Sequence, residues 1–294
     1  MTMITVVLYN PSWQIMFEEE AARIKQALGD NCLDIHHIGS TSVPGLAAKP
    51  IIDILPVVKD IRNVDIADSK MIEMGYESKG EGGVVFRRYF VKTKPIRTHN
   101  VHIFEEGNPE IERHLLFRDY LRAHPEACHY YSELKKELAK QYPNDINTYC
   151  LGKEQFIQNI IDKQGFNGFR VMQALTEEEW GVVKQLGQSY IDKDEGNYHF
   201  VLRKGSKIIG YAHIKIMPDA TATLRFIVIE KSCQNQGIGS FFLRLLERWL
   251  CYKDIKKLYI HTQENTYGLF EKANYKRDGD NGYYDAYSLL KDSN

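Results

Sequence analysis

The chain contains 294 residues, 43% of them hydrophobic and 26% charged, which is typical of a folded protein with two domains of ordinary size. Its 38 Lys and Arg residues nearly balance its 39 Asp and Glu residues, so no overall field attracts nucleic acid or anionic lipid, and neither is expected as a partner. Five widely spaced cysteines without a Cys-x-x-Cys pair argue against a disulfide framework or a thiolate zinc site and favour a reducing cytosol.

The first residues of the chain show no targeting signal. Residues 1–13 lack a charged leader followed by a long apolar core, and the stretch ITVVLY at 4–9 predicts a strand. No apolar run approaches the ~20 residues that span a bilayer. We therefore expect a cytoplasmic protein without a membrane partner.

The first half of the chain is predicted to mix helices and strands. Asn10 and Pro11 are typical of a helix start, and an apolar stripe from Trp13 to Leu28 follows them. A buried strand is predicted at 51–58. Further strands are predicted at 84–91 and 99–104, and then helices at 110–124, 125–142 and 153–163.

The second half of the chain starts again as a complete α/β domain. The stretch from Gly165 to Gly168 ends the last helix, so we predict domains at 1–165 and 166–294. Thr176 and Glu179 predict a capping box. Three antiparallel strands, a helix, a strand and a short helix are predicted at 198–203, 207–217, 222–230, 238–251, 256–262 and 266–273. The predicted fold class is α/β, or more strictly α+β.

A glycine-rich loop, Gln-Asn-Gln-Gly-Ile-Gly-Ser at 234–240, lies between a predicted strand and a predicted helix. Glycines let an anion approach the backbone closely, and the helix N-terminus adds a favourable partial charge. The loop is therefore expected to bind a diphosphate without using a lysine.

This loop in its setting resembles the diphosphate loop of the GNAT superfamily of N-acetyltransferases, and the resemblance extends over 168–292. Gln234, Gly237 and Gly239 match the family pattern of Arg or Gln, two residues, Gly, one residue, and Gly or Ala. The resemblance implies an acyl-coenzyme A N-acyltransferase fold, acetyl-coenzyme A as cofactor and a small-molecule amine as substrate. The cofactor-binding residues that it implies are Ile227, Val228, Ile229, Gln234, Asn235, Gln236, Gly237, Ile238, Gly239, Ser240, Asn265 and Phe270.

The catalytic residues depart from the pattern of this family. The usual general-acid Tyr aligns with Phe270, which cannot donate a proton, and the usual general-base Glu is missing from the strand before the loop. Since a cytosolic amine is mostly protonated, some group must accept a proton. The candidates are Glu230, Tyr267 and His213, and both His213 and Tyr267 can also be read as purely structural residues. A non-catalytic coenzyme A-binding or sensor module is the alternative hypothesis.

The block His-Ile-Gly-Ser-Thr-Ser-Val-Pro-Gly-Leu-Ala-Ala-Lys-Pro-Ile-Ile-Asp-Ile at 37–54 resembles the GrpB (UPF0157) family, as do YNPSW, HNVH, FRDYLRAHPE and GKEQFI. The resemblance covers residues 1–163 and implies a minimal nucleotidyltransferase-like fold with a mixed sheet and a C-terminal helical segment. Gly39 and Ser40 fit the turn of such a fold, and Asp53 fits its first metal-binding carboxylate. The second carboxylate position is Leu55, and His102 lies where a third acid would fall.

Three interpretations of this block stay open. In the first, the domain binds a nucleotide or phosphorylated ligand, and the acceptor is a small amine or a phosphorylated or nucleotide-bearing metabolite that this domain partly holds. In the second, the turn and Asp53 chiefly stabilise the fold. In the third, the domain transfers nucleotidyl groups with Mg²⁺ at Asp53, although one carboxylate makes a poor two-metal site. The candidate ligand-site residues are Gly39, Ser40, Thr41, Ser42, Lys49, Asp53, Arg88 and His102.

Overall fold

The computed structural model describes residues 3–93, 95–173, 176–187, 192, 194–261, 269–270, 273, 275, 277–278 and 283–288. The chain forms two compact units, one of residues 1–82 and 86–168 and the other of residues 83–85 and 169–294, each with its own sheet. None of the helices in the described ranges combines the length and the apolarity needed to cross a membrane.

The first unit is a five-stranded mixed sheet of order β1-β2-β5-β4-β3, in which β2 and β5 run parallel and the other neighbours antiparallel. Its strands are β1 (Cys32–Ile38), β2 (Ile52–Val58), β3 (Tyr76–Ser78), β4 (Arg87–Lys92) and β5 (His99–Glu105). Its helices are α1 (Ser12–Leu28), α2 (Arg62–Ile66), α3 (Asp68–Glu73), α4 (Pro109–Ala123), α5 (Pro125–Gln141) and α6 (Ile146–Lys163). The predicted buried strand and the helices predicted at 110–124 and 125–142 are confirmed. The helix predicted at 153–163 is present but begins earlier, at Ile146, and the strand predicted at 84–91 begins only at Arg87.

The start of the chain differs from its prediction. Residues 4–9 do not form a strand; Val7 makes a single antiparallel bridge with Ala48. On one side of this bridge the next hydrogen-bonding position of the partner segment is Pro50, which has no N–H, and on the other side the Leu46 N–H already donates to the Val43 carbonyl. The predicted helix start is confirmed, since the Asn10 side chain accepts a hydrogen bond of 3.0 Å from the Ser12 N–H.

The second unit is a seven-stranded sheet of order β11-β12-β10-β9-β8-β7-β6. Its strands are β6 (Phe169–Gln173), β7 (Asn197–Lys204), β8 (Lys207–Ile216), β9 (Thr221–Ile229), β10 (Lys257–His261), β11 (Arg277–Asp278) and β12 (Tyr283–Ser288), and its helices are α7 (Glu177–Gln185) and α8 (Ile238–Cys251). Strands β9 and β10 run parallel, and the other described neighbours run antiparallel.

Most predicted elements of the second unit are confirmed. Strands β7, β8 and β9 form the predicted meander. The Thr176 hydroxyl accepts from the Glu179 N–H and the Glu179 carboxylate accepts from the Thr176 N–H, so the capping box is present. Strand β6 was not predicted, because five residues give too short a pattern to separate a strand from a loop. The short helix predicted at 266–273 lies mostly outside the described residues.

Candidate functional site

The glycine-rich loop of the second unit ends in the first turn of α8. Gly237 precedes the helix with φ of 77°, in the left-handed region, and Asn235 has φ of 60°. In the described part of the chain, the main-chain N–H groups of residues 235–240 have no hydrogen-bond partner. Because the first N–H groups of a helix also carry its positive dipole end, this turn is suited to an anion such as a diphosphate.

Two glutamine side chains hold this loop in place. The Gln234 Nε2 donates to the Ile229 carbonyl at 2.8 Å, and the Gln236 Nε2 donates to the Ser232 carbonyl at 3.0 Å. Gln234 thereby ties the loop to the end of β9. The main chain of the loop, rather than these amides, offers the donors for an anion.

Beyond Leu224, strand β9 has no neighbour on the side of β10 among the described residues, and we call this stretch next to the loop the open edge. Its described ladder with β10 ends at the pair Leu224–Ile260, although β9 continues to Ile229. The Glu230 N–H donates to the Ile209 carbonyl of β8. Main-chain groups alternate in direction along a strand, so those of Ile227 and Ile229 point away from β8, towards the open edge. An extended amide-containing chain can pair with them there.

A β-bulge lies at the other end of this edge. His213 pairs with Phe226 and Ile214 pairs with Leu224, so Arg225 is the extra residue of β9. The Arg225 Nη1 forms a 3.1 Å salt bridge with the Asp192 carboxylate. The main chain of Val228 faces β8, and its side chain packs against the cluster around Trp180, so Val228 does not line the open edge.

The predicted base His213 is buried beside this bulge. Its Nε2 lies 2.8 Å from the Asn197 Oδ1, and its ring stacks on His199 with centroids 4.3 Å apart. Burial, together with the charge of His199, lowers the pKa of His213 to about 4. The imidazole is therefore neutral at pH 7 and keeps a nitrogen lone pair.

The other predicted catalytic residues do not gather around His213. Glu230 is exposed, and its carboxylate accepts a 2.9 Å hydrogen bond from the Ser232 hydroxyl. Because a strand rises about 3.3 Å per residue, Glu230 lies about 13 Å along β9 from the Phe226 that faces His213. Tyr267 and Asn265 lie outside the described residues. Of the two described candidates, His213 and Glu230, only His213 thus lies next to the bulge.

Phe270, predicted at the position of a general acid, is a buried core residue that is 1% exposed. Its ring meets that of Tyr275 edge-on, with centroids 5.9 Å apart. The Tyr275 hydroxyl is a phenol near this position, but it donates a hydrogen bond to the Glu247 carboxylate. Phe270 therefore contributes to the core, and the hydroxyl of Tyr275 is already hydrogen-bonded, so neither described residue offers a proton to a leaving thiolate.

The first unit contains a cavity of about 300 Å³ at the amino end of β2 and the start of α6, which we call the Asp53 cavity. It brings together four residues of the predicted ligand site, Ser40, Thr41, Lys49 and Asp53. Sequence patterns do not single out several polar and aromatic residues that also line it, namely Tyr89, Arg97, Asn100, Lys135, Tyr149 and Lys153. The predicted turn and carboxylate therefore lie within a wider polar pocket.

Gly39 and Asp53 are in close contact at this cavity. Gly39 has φ of 69° and ψ of −171°, a conformation essentially restricted to glycine. A Cβ atom on Gly39 would lie 2.4 Å from the Asp53 Oδ2. Glycine is therefore required here by both its backbone angles and the adjacent carboxylate, which accounts for the Gly-Ser turn.

The Asp53 carboxylate is held by neighbouring side chains of β5. The Asn100 Nδ2 donates to its Oδ1 at 2.6 Å, and the His102 Nε2 lies 3.6 Å from the same oxygen. Arg87 lies 3.2 Å from the His102 Nδ1, and because a guanidinium only donates, the ring proton lies on Nε2, facing Asp53. Burial raises the pKa of Asp53, but the adjacent His102 and the hydrogen bond from Asn100 outweigh it and lower the pKa, so the group is a carboxylate at pH 7.

Three lysines face the same cavity. The Lys135 Nζ donates to the Ser40 hydroxyl at 2.8 Å and to the Ala47 carbonyl. Lys49 and Lys153 lie over the Tyr149 ring, with Nζ 5.2 Å and 4.4 Å from its centroid. Burial lowers the pKa of all three, and with the nearby charge of Lys153 it lowers the pKa of Lys135 to about 7.

Two residues of the predicted ligand site lie elsewhere. Arg88 alternates with Tyr89 on β4, so it points to the opposite face, where it pairs with Asp65. Ser42 is buried and donates to the Gly39 carbonyl at 2.6 Å, which stabilises the turn from inside. Leu55, at the second carboxylate position, is fully buried. In the ranges that the structure describes, no group of three His, Cys, Asp or Glu side chains could hold a metal ion.

A second cavity, of about 350 Å³, opens between the turn at Pro44 and helices α4 and α5. Its charged groups already have partners: Arg122 donates to the Ser42 carbonyl, and Lys136 pairs with Glu133 at 2.7 Å. The Asp53 cavity, with three lysines that form no salt bridge among the described residues, is therefore the better candidate for a charged ligand.

We expect Lys135→Met to change the pH dependence of stability. The pKa of Lys135 is about 7 in the folded chain and about 10.4 when unfolded. The buried charge therefore destabilises the fold fully below pH 7, and this cost disappears as pH rises towards the unfolded value. Between pH 7 and about pH 9, wild type should gain about 1 kcal/mol per pH unit relative to Lys135→Met.

The measurement is urea unfolding of both chains across this range, followed by circular dichroism. Lys140→Met, an exposed lysine on the same helix, serves as the control and should show no such trend. A constant difference between wild type and Lys135→Met would contradict the lowered pKa.

Comparisons with known proteins identify relatives for both halves of the chain. A family model described as GrpB protein matches residues 3–163, and one described as acetyltransferase (GNAT) family matches residues 168–275. The chain is 52% identical to UPF0157 protein YqkA of Bacillus subtilis over 155 residues, which are 53% of this chain and 45% of that protein. It is 27% identical over 181 residues to a dephospho-CoA kinase of Mycolicibacterium paratuberculosis, covering 53% of this chain and 44% of the kinase. The chain thus spans less than half the length of these two relatives.

A solved structure resembles the first unit. It is the crystal structure of conserved protein GrpB from Enterococcus faecalis, with 48% sequence identity and a TM-score of 0.53, covering 54% of this chain and 96% of that one. The predicted resemblance of the first half and the predicted arrangement of two domain types in this order are confirmed.

Proposed function

Because the chain belongs to the GrpB family through residues 3–163 and carries a GNAT-family acetyltransferase domain over residues 168–275, we propose that it is an acetyl-coenzyme A-dependent N-acetyltransferase that acts on a small-molecule amine. One observation supports this most directly: the unpaired N–H groups of residues 235–240 adjoin the open edge of β9. In a ligand with a diphosphate linked to an extended amide chain, the diphosphate fits the N–H groups and the amide chain fits the edge of β9.

The residues of this unit fit the cofactor as follows. The N–H groups from Asn235 to Ser240 would bind the diphosphate, and the main chains of Ile227 and Ile229 would pair with the amides of the pantetheine arm. Gln234 keeps the loop attached to β9 through its hydrogen bond to the Ile229 carbonyl. When bound, acetyl-coenzyme A supplies a thioester carbonyl as the electrophile.

His213 is the residue that we assign to accept the proton of the amine. Going back along β9 from the loop, the chain passes Ile229, Ile227 and then the bulge at Arg225. His213 lies beside this bulge, whereas Glu230 lies at the end of β9 nearest the loop. With Nε2 donating to Asn197, the Nδ1 lone pair of the neutral imidazole is left for this proton. Because the lowered pKa makes His213 a weak base, it takes the proton from the nitrogen only as the new N–C bond makes that nitrogen acidic. Holding the amine in line with the thioester also contributes, by about 7 kcal/mol or more in favourable cases.

The test is acetyl-coenzyme A binding by calorimetry, followed by thiol release with a panel of small amines. We expect binding, thiol release with at least one amine class, and a loss of about 100-fold in kcat for His213→Gln at unchanged cofactor affinity. Glu230→Gln should leave kcat within about threefold of wild type. Absence of acetyl-coenzyme A binding would refute the proposal, and an inactive Glu230→Gln beside an active His213→Gln would refute the assignment of the base.

A second candidate function is a coenzyme A sensor without catalysis. The buried Phe270 favours it, because no described phenol at this position has a hydroxyl available to protonate a leaving thiolate. This function predicts tight cofactor binding with no thiol release from any amine in the panel.

For the first unit, we propose that the Asp53 cavity holds a nucleotide or another phosphorylated ligand. Three lysines and Arg97 face a single carboxylate there, so the cavity is suited to an anion. A relative named dephospho-CoA kinase shares this segment, which also fits a phosphorylated ligand. Nucleotidyl transfer with magnesium at Asp53 is less well supported, since Leu55 and His102 occupy the places that further carboxylates would need.

A further inference from the structure

The charges of the Asp53 cavity do not balance. Lys49, Lys135 and Lys153 form no salt bridge among the described residues, and Arg97 hydrogen-bonds to the neutral groups of Tyr89 and Asn100. Asp53 is the only carboxylate among the described residues that line this cavity. Counting every lysine as protonated, the lining carries about three net positive charges, which is the magnitude of the charge on a diphosphate or triphosphate chain.

These cations are fixed by the structure around them. Lys135 is 2% exposed and anchored by two hydrogen bonds, and the ammonium groups of Lys49 and Lys153 lie over the ring of Tyr149. Burial and mutual repulsion disfavour their charged forms, as the lowered pKa values show. A polyanion would relieve this repulsion, whereas a divalent cation would add to it.

The cavity also lacks the oxygen donors of a magnesium site among the described residues. The Asp53 Oδ1 accepts from Asn100 and faces the Nε2–H of His102, and the Oδ2 lies against the main chain of Gly39, 2.4 Å from where a Cβ of that residue would lie. Mg²⁺ needs near-octahedral oxygen ligands, usually including one or two carboxylates with open lone pairs. The position two residues after Asp53 supplies only the buried side chain of Leu55.

We infer that the Asp53 cavity binds the phosphate chain of a nucleotide or other polyphosphate without a metal ion, with Lys49, Lys135 and Lys153 carrying the charge that metal ions would otherwise supply. This inference rests on the proposal that the first unit holds a phosphorylated ligand, and it adds the ligand class and the independence from metal. Ser40, which accepts from Lys135, orients that ammonium group towards the cavity.

The experiment is isothermal titration of the full chain with inorganic tripolyphosphate and with ATP, each in EDTA and in excess Mg²⁺. We expect tripolyphosphate to bind in EDTA and to bind more weakly when Mg²⁺ neutralises it. Lys153→Met and Lys135→Met should each weaken binding by at least about tenfold, because each removes a charge-assisted contact. Lys140→Met, which removes an exposed charge from the same helix as Lys135, should bind as wild type does.

The two probes separate the sources of the phosphate. Tighter binding of ATP than of tripolyphosphate indicates a nucleotide, and equal binding indicates that the phosphate chain alone is recognised. Both titrations are repeated on the Gly237→Glu, Gly239→Glu chain, in which the glycine-rich loop of the second unit can no longer bind an anion. This variant must still bind tripolyphosphate or ATP if the Asp53 cavity is the binding site. Binding that requires Mg²⁺ would overturn the inference but leave the phosphorylated ligand in place. No binding of either probe under any condition, with acetyl-coenzyme A still bound, would overturn both.

Discussion

Replacing Gly237 and Gly239 together by glutamate is expected to weaken acetyl-coenzyme A binding by at least about 100-fold, or ~3 kcal/mol. Gly237 has φ of 77°, a conformation that side chains with a Cβ rarely adopt. A Cβ on Gly239 would lie 3.2 Å from the Leu269 side chain. Two carboxylates would also occupy the positive end of α8, so they would compete with a diphosphate for the same N–H groups. Calorimetry with acetyl-coenzyme A measures this loss directly.

The matched control is Gly181→Glu in helix α7 of the same unit. Gly181 is exposed and helical, and a Cβ there meets no atom within 4 Å, so this variant adds a similar charge without touching the loop. It should bind acetyl-coenzyme A as wild type does. If the double variant bound as tightly as Gly181→Glu, the cofactor would not be held by residues 235–240, and the assignment of the loop would be wrong.

Local sequence patterns predict the main-chain elements of both candidate sites well. The loop at 234–240 is recognisable because glycines, a preceding strand and an amphipathic helix all lie within one short stretch, and the structure places them as expected. The Gly-Ser turn and Asp53 are likewise recognisable from one block, since their contact joins residues only fourteen positions apart. Features that depend on neighbours along the chain can therefore be predicted from the amino-acid sequence alone.

The lysines of the Asp53 cavity cannot be predicted in this way. Lys135 is 95 residues from Ser40, and only the packing of α5 against the turn brings the two together. One signal is present: Lys135 lies four residues after Tyr131 and three before Leu138, so it sits on the buried stripe of its helix. A lysine on an apolar stripe is a departure from the usual pattern, because lysine is almost never fully buried without a partner. The helical spacing does not say what that lysine faces.

The second large effect is expected from Gly39→Ala, which should destabilise the first unit by about 3–5 kcal/mol. Alanine at φ of 69° and ψ of −171° costs about 1–3 kcal/mol in backbone strain alone. Its Cβ would also lie 2.4 Å from the Asp53 Oδ2, so the carboxylate must move away from Asn100 and His102. Hydrogen exchange of peptides that cover β1 and β2 should therefore accelerate strongly, while peptides of α8 and β9 should exchange as in wild type.

Gly29→Ala separates strain from contact in this prediction. Gly29 has a similar conformation, with φ of 56° and ψ of −140°, but a Cβ there meets no atom within 4 Å. It should therefore cost only the strain, about 1–3 kcal/mol. The additional destabilisation by Gly39→Ala, compared with Gly29→Ala, then measures how firmly Asp53 is held against the turn. Combining Gly39→Ala with Asp53→Ala should reduce this difference, because the oxygen that the new Cβ approaches is then absent. If Gly29→Ala and Gly39→Ala proved equally destabilising, Asp53 would not be fixed against the turn, and the close contact between them could not account for the glycine.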